Sequence, residues 1–106
     1  MKTFKEKVAV ITGAGSGMGR YLAVLLAKDG ADVCICDVNQ ETLDETAEML
    51  RKYNVSVSSH LLDVSDKESI ESLPQKVIDH HGKIDLVFNN AGVTTGSHFK
   101  DMEEEN

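Results

Sequence analysis

Residues 8–19 read VAVITGAGSGMG, an apolar run that leads directly into four glycines at every second position. The run from Val8 to Thr12 is short, apolar and ended by glycine, so it predicts a buried strand. We expect a helix from about Met18 to Lys28, with Leu22, Leu25 and Leu26 on one face and Gly30 as its stop. A strand, a glycine-rich turn and a helix in this order are typical of a phosphate-binding site. The start of a helix offers free N–H groups, and glycine lets an anion approach the backbone closely.

The same alternation of strand and helix continues along the chain. It predicts strands at 33–36, 55–62 and 84–88. A second helix is expected from the N-cap Asn39 to about Tyr53. A third helix is expected to start with the capping-box spacing Ser65 to Glu68, to contain Pro74 and to stop at Gly82. Strands that alternate with helices indicate an α/β fold with a parallel, doubly wound sheet and right-handed crossovers. We expect the strand order 3-2-1-4, with the first two helices on one face and the third on the other. The glycine turn then lies at the switch point of the sheet, where ligands bind.

Composition narrows the class of protein. The 106 residues suit one small domain, residues 1–106, and the net charge of −7 argues against a nucleic-acid or anionic-membrane surface. No apolar run approaches the roughly 20 residues of a membrane span, and the charged N-terminus is unlike a signal peptide. Cys34 and Cys36 lie two apart on one strand, so we expect reduced core thiols and a cytoplasmic protein. His80 and His81 are adjacent, which does not suit a metal site.

Two strings in the chain carry a resemblance to a known family. The generic dinucleotide fingerprint G-x-G-x-x-G is not met, because position 18 is Met. The turn instead reads Thr12-Gly13-x-x-x-Gly17-x-Gly19, and residues 89–92 read Asn-Asn-Ala-Gly. Both strings resemble the short-chain dehydrogenase/reductase family, over the chain from about Lys5 onward. The resemblance implies a Rossmann-type fold and a nicotinamide-dependent oxidoreductase that interconverts alcohols and carbonyls.

The resemblance also implies which residues meet the cofactor. The glycine turn would wrap the pyrophosphate and adenosine end, Asp63 and Val64 would meet the adenine ring, and the string at 89–92 would approach the ribose on the nicotinamide side, with one Asn stabilising the sheet. The implied cofactor-binding residues are Gly13, Ser16, Gly17, Met18, Gly19, Asp63, Val64, Asn89, Asn90, Ala91 and Gly92. Purely structural roles stay open: helix–strand packing for the glycines, and a turn at the strand end for Asp63 and for residues 89–92.

Asp37 ends the second predicted strand, near the offset of about 20 residues at which an acidic residue binds the adenosine ribose. A carboxylate there accepts two hydrogen bonds from the ribose hydroxyls and repels a 2′-phosphate. Unit charges about 4 Å apart cost roughly 4 kcal/mol at an effective dielectric constant of 20. No Arg or Lys follows closely, and position 16 is Ser. The sequence therefore predicts NAD rather than NADP, although a capping or turn aspartate is the plain alternative.

The catalytic residues of the resembling family have no counterpart in these 106 residues. That family uses a Ser and a Tyr followed four residues later by Lys, whereas here Tyr21 is followed by Leu25 and Tyr53 by Val57. We therefore expect the cofactor-binding first half of such an enzyme, inactive alone and with apolar surface left bare. The complete enzyme would act on a small alcohol or carbonyl compound and form a homo-oligomer.

Two other functions remain open from the sequence. The chain could be a non-catalytic dinucleotide-binding module, which tight NAD binding by a monodisperse 106-residue chain would favour. It could also be part of an S-adenosylmethionine-dependent methyltransferase, since those folds use a glycine turn and an acidic residue after the second strand. The spacing of the turn and the Asn-Asn-Ala-Gly string argue against the methyltransferase.

Overall fold

The computed structural model describes residues 4–63 and 65–90, which form a parallel sheet flanked by helices. Strands and helices alternate as predicted: β1 (Val8–Thr12), α1 (Gly17–Lys28), β2 (Asp32–Asp37), α2 (Gln40–Leu50), β3 (Val57–Leu61), α3 (Lys67–His81) and β4 (Leu86–Asn89). The four strands lie in the order β3-β2-β1-β4, and every pairing is parallel. The predicted Rossmann-type sheet is confirmed.

The central strand β1 is buried along its whole length, and its side chains alternate between the two faces of the sheet. Ala9 and Ile11 pack under α1 and α2, whereas Val8 and Val10 pack under α3. A strand that is covered on both faces has no polar side, which explains why the residues of β1 form a continuous apolar run before the glycine turn.

The helices cover the two faces unequally, as predicted. Ala23 and Leu26 of α1 join Leu43 and Leu50 of α2 in one core cluster. On the other face, Val77 is the fully buried residue of α3, with Ile70 and Leu73 partly buried beside it. Cys34 and Cys36 are buried free thiols on this second face.

The predicted leucine face of α1 is only partly buried. Leu26 is in the core, but Leu22 is half-buried and Leu25 is exposed. These two leucines line a groove together with Phe4 and with Phe88 of β4. Ala23 and Ala27 make the close contact with the sheet instead, because small side chains allow the helix to approach it.

The start of α3 differs from the sequence prediction. The N-cap is Asp66, whose carboxylate accepts a hydrogen bond from Glu68 N (3.1 Å). Ser65 does not cap the helix, because its hydroxyl donates to the carboxylate of Asp63 (2.6 Å). Gly82 ends the helix as predicted, in the left-handed conformation that glycine adopts without strain.

Several predicted bounds shift by a few residues. Strand β2 extends from Asp32 to Asp37, and α2 ends at Leu50 because Tyr53 N turns back to Leu50 O (3.1 Å). Strand β3 is shorter than 55–62, and β4 begins at Leu86 rather than at position 84. Just before β4, Asp85 meets the start of β1: its carboxylate accepts from Val8 N (2.8 Å) and its own N–H donates to Val8 O (2.9 Å).

Candidate functional site

The described candidate residues lie along one edge of the sheet, beyond the carboxyl ends of the strands. The glycine turn follows β1, Asp37 ends β2, Asp63 follows β3 and Asn89 ends β4. The chain leaves β1 towards β2 on one side, while β4 pairs with β1 on the other. This arrangement is the switch point at which open α/β sheets form a ligand crevice. The candidates Val64, Ala91 and Gly92 lie outside the described residues.

The glycine turn depends on conformations that other residues adopt only with strain. Gly13 has φ 68° and Gly17 has φ 59°, both in the left-handed region. Gly19 is buried, and a Cβ there would collide with the carbonyl of Gly13. Gly19 therefore lets α1 sit directly on the turn, and the packing role that the sequence left open is present at this position.

The N-terminus of α1 has the features of an anion-binding site. Its N-cap Ser16 makes no side-chain capping bond, and the first turn contains no acidic residue. In contrast, Asn39 caps α2 and Asp66 caps α3, and each of those helices has a Glu in its first turn. Uncapped N–H groups and the positive end of the helix dipole thus remain available at α1 alone among the three described helices.

Asp37 is held by two backbone N–H groups. Its Oδ2 accepts from Gly15 N at 2.7 Å, and its Oδ1 accepts from Val38 N at 2.7 Å. These short charge-assisted bonds fix the plane of the carboxylate while leaving a lone pair on each oxygen for another donor. The carboxylate is therefore oriented beside the glycine turn before any ligand arrives.

Gly15 is a site residue that the sequence prediction missed. A Cβ at this position would lie 2.7 Å from Asp37 Oδ2 and would strike the hydroxyl of Thr42. Any larger residue would thus push the carboxylate off its N–H donor. The sequence held a usable signal, because residues that follow two adjacent parallel strands must lie side by side.

Asp63 makes local hydrogen bonds in the described structure. Its Oδ1 accepts from Ser65 N (2.9 Å) and from Ser65 Oγ (2.6 Å), and these two bonds hold the pKa of the carboxyl below its ordinary value. This is the turn role that the sequence left open. The predicted contact of Asp63 with an adenine ring stays a prediction.

Asn89 and Asn90 connect the end of β4 to the glycine turn through Thr12. Thr12 Oγ1 donates to Asn89 Oδ1 (3.3 Å), with Phe88 O as a second acceptor at 3.5 Å, and accepts from Asn90 N (3.1 Å). Asn90 Nδ2 also reaches the carbonyl of Gly13 at 3.4 Å. The hydroxyl of Thr12 is buried, so these contacts hold the two strand ends together at the crevice.

Two further features were searched for in the described residues: groups of side chains that could bind a metal ion, and helices that could span a membrane. Within residues 4–63 and 65–90, no group of three His, Cys, Asp or Glu residues could hold a metal ion. None of the helices in that part of the chain combines the length and the hydropathy that a membrane-spanning helix needs.

Comparison with known proteins decides the family. The family model of the short chain dehydrogenases matches residues 7–106. The chain belongs to the short-chain dehydrogenase family. Among curated short-chain dehydrogenase relatives, it is 42% identical over 93 residues to an uncharacterised oxidoreductase, YxbG, of Bacillus subtilis, covering 88% of this chain and 34% of that protein. It is 36% identical over 99 residues to the 3-oxoacyl-[acyl-carrier-protein] reductase FabG of Thermotoga maritima, covering 93% of this chain and 40% of that protein.

Solved structures of the family share the fold. An NAD-bound xylitol dehydrogenase superposes with a TM-score of 0.82 at 36% identity, over 86% of this chain and 35% of that chain. A short-chain dehydrogenase/reductase from Burkholderia phymatum in complex with NAD superposes with a TM-score of 0.81 at 41% identity, over 88% and 33%. This short-chain dehydrogenase chain thus spans about a third of the length of the solved relatives it matches.

Proposed function

We propose that these 106 residues form the NAD-binding segment of a short-chain dehydrogenase that, as a whole protein, interconverts an alcohol and a carbonyl group. The observation that carries the proposal is the Asp37 carboxylate, fixed 2.7 Å from Gly15 N at the switch point of the sheet. Bound NAD would supply the nicotinamide ring that accepts or donates hydride. Two relatives with solved structures, described above, contain NAD.

The described residues fit such a cofactor. The uncapped start of α1 offers N–H groups and a positive dipole end to a pyrophosphate, and the glycines leave room for it beside the backbone. Ser16, Gly17 and Met18 are exposed at this helix start. Asp37 would accept from the ribose hydroxyls, while Asn89 and Asn90 would shape the nicotinamide side through their bonds to Thr12 and Gly13.

The preference for NAD follows from the charge of Asp37. A 2′-phosphate placed where the ribose hydroxyls bind would face a carboxylate that two N–H donors hold in place. A repulsion of roughly 4 kcal/mol corresponds to about a thousandfold weaker binding of NADP.

Calorimetric titration of the chain with NAD and with NADP tests this proposal. We expect NAD to bind far more tightly. Asp37→Asn should weaken NAD binding by about tenfold or more and strengthen NADP binding, because a charged acceptor becomes neutral. Asp44→Asn is the matched control, since it makes the same change of charge on an exposed carboxylate of α2 that bonds to Gln40. Equal affinities of the unaltered chain for NAD and NADP would contradict the proposal.

The proposal also concerns the activity of this chain alone and the properties of the whole protein. We expect residues 1–106 to show no dehydrogenase activity alone, because neither of their two tyrosines is followed four residues later by lysine. The whole protein would act on a small-molecule alcohol or carbonyl compound. It would be a cytoplasmic homo-oligomer.

A further inference from the structure

Thr46 is a completely buried hydroxyl that contacts the glycine turn from α2. Its Oγ1 lies 2.8 Å from the carbonyl oxygen of Ala14 and 3.3 Å from that of Gly15. The side chain is therefore behind the turn, out of reach of any ligand in the crevice. It touches two successive peptide groups of the turn at once.

Arg20 determines the direction in which the Thr46 hydroxyl points. The Nε of Arg20 donates to Thr46 Oγ1 at 2.8 Å, and a guanidinium can only donate. The single proton of the hydroxyl is therefore left for the carbonyls of the turn. Arg20 itself is anchored on α2, because its Nη2 donates to Thr42 O (3.1 Å) and to Glu45 Oε1 (3.0 Å).

A carbonyl held in place also fixes the direction of the next N–H group. In a planar trans peptide, the C=O and the N–H point in opposite directions. Holding the Ala14 carbonyl towards Thr46 turns Gly15 N–H the other way, where it donates to Asp37 Oδ2. Holding the Gly15 carbonyl towards Thr46 likewise turns the N–H of Ser16 away from the core, at the uncapped start of α1.

We propose that Thr46, with Arg20 as its hydrogen-bond donor, is a positioning residue that aims the amide groups of Gly15 and Ser16 into the dinucleotide crevice. The expected consequence of this positioning, tighter binding of NAD, rests on the proposed function. It also has a consequence without any ligand. The Gly15 amide should be ordered on Asp37 only while the Thr46 hydroxyl holds the preceding carbonyl.

Two measurements on the isotope-labelled 106-residue chain test the proposal. Without nucleotide, Thr46→Val should shift the amide resonance of Gly15 and speed its hydrogen exchange by roughly tenfold, since the hydrogen bond that holds the preceding carbonyl is lost. With NAD, the same variant should raise Kd by about tenfold. Thr46→Ser keeps the hydroxyl and should restore both values. Arg20→Lys should change the Gly15 amide and Kd for NAD in the same direction as Thr46→Val but by less, because lysine keeps the charge and lacks the guanidinium fork.

Val77→Ala is the matched control for stability. Val77 is fully buried on the opposite face of the sheet, so its truncation destabilises the fold without touching the turn. We expect it to leave the Gly15 resonance and Kd for NAD unchanged. The proposal is wrong if Thr46→Val leaves both values unchanged, if Thr46→Ser fails to restore them, or if Val77→Ala changes them as much. An unaltered chain that binds no NAD would contradict the proposed function instead, and the Gly15 resonance would still decide the role of Thr46.

Discussion

Single residues of the turn act for different physical reasons, although the sequence presents them as one motif. Gly17 has φ 59° and open space around its α-carbon, so glycine is favoured there by conformation alone. Gly19 is helical and buried, and it is glycine because the backbone of Gly13 occupies the space of a side chain. The first residue could change at a modest cost, whereas the second leaves no room for any side chain.

We therefore predict that Gly19→Ala destabilises the chain more than Gly17→Ala. An alanine forced into the left-handed region costs about 1–2 kcal/mol. An alanine at position 19 must separate α1 from the turn, which we expect to cost about 3 kcal/mol or more, at the upper end of overpacking penalties. Urea unfolding of the two variants measures both values, and a smaller loss for Gly19→Ala would contradict the packing role of this glycine.

At the scale of elements, α3 continues through Pro74 from Lys67 to His81. Proline has no N–H to donate to the carbonyl of Ile70, and its ring crowds the preceding turn. Pro74 is exposed, while Ile70, Leu73 and Val77 face the core. The helix is thus kept by its caps, Asp66 and Gly82, and by its apolar face, since tertiary packing supplies most helical stability in proteins.

Pro74→Ala should consequently stabilise the chain. Alanine restores the missing N–H and relieves the crowding, which is worth up to about 3 kcal/mol in a helix interior. The unfolded chain gains freedom worth about 0.4–1 kcal/mol, so we expect a net gain of about 1–2 kcal/mol. The melting temperature and the urea midpoint measure it, with Gln75→Ala as a control at the next position of α3, which is also exposed. A lower midpoint for Pro74→Ala would show that the ring contributes more by packing than it costs.

At the scale of the whole molecule, the face of the sheet under α3 is less completely covered than the other. Val87 of β4 is 58% exposed, and an apolar cavity of about 130 Å³ lies between α3 and the sheet. Among the described strands, β4 pairs only with β1. These features agree with the bare apolar surface expected from the sequence.

Two partly buried histidines, His60 of β3 and His81 at the end of α3, lie where these two elements meet. His81 Nε2 lies 2.8 Å from Ser58 Oγ, while His81 Nδ1 and His60 Nε2 are buried without a hydrogen-bond partner among the described residues. Burial lowers the pKa of both imidazoles below the ordinary value. Electrostatic repulsion adds to this effect, from Lys76 and His80 at His60 and from His80 and His60 at His81, whereas Asp32 opposes it at His81.

We predict that the free energy of unfolding falls as the pH drops below about 6.5, because the unfolded histidines bind protons there before the folded ones do. The loss ends once the pH is below the folded pKa values. Asp63 and Asp85 also have lowered pKa values, but their stabilisation is lost only in more acidic solution, near their ordinary values of about 4. Urea unfolding between about pH 7.5 and 5 measures the slope, and the double variant His60→Gln with His81→Gln should flatten it. A midpoint that is constant or rises on acidification would contradict this assignment.

The order of the elements and the position of the crevice could be predicted from the sequence, because local patterns carry that information. An apolar run, a glycine turn and an amphipathic helix each have a period or a breaker that neighbouring residues determine, and Asp37 could be placed beside the turn by the geometry of parallel strands alone. Only the tertiary structure decided that Ser65 bonds to Asp63 instead of capping α3, that Gly15 makes room for the Asp37 carboxylate, and that Thr46 and Arg20 support the turn from α2. These contacts join residues whose side chains compete for partners or meet across different elements. No local pattern records which partner a hydroxyl or a guanidinium will choose, because that choice depends on how the helices pack.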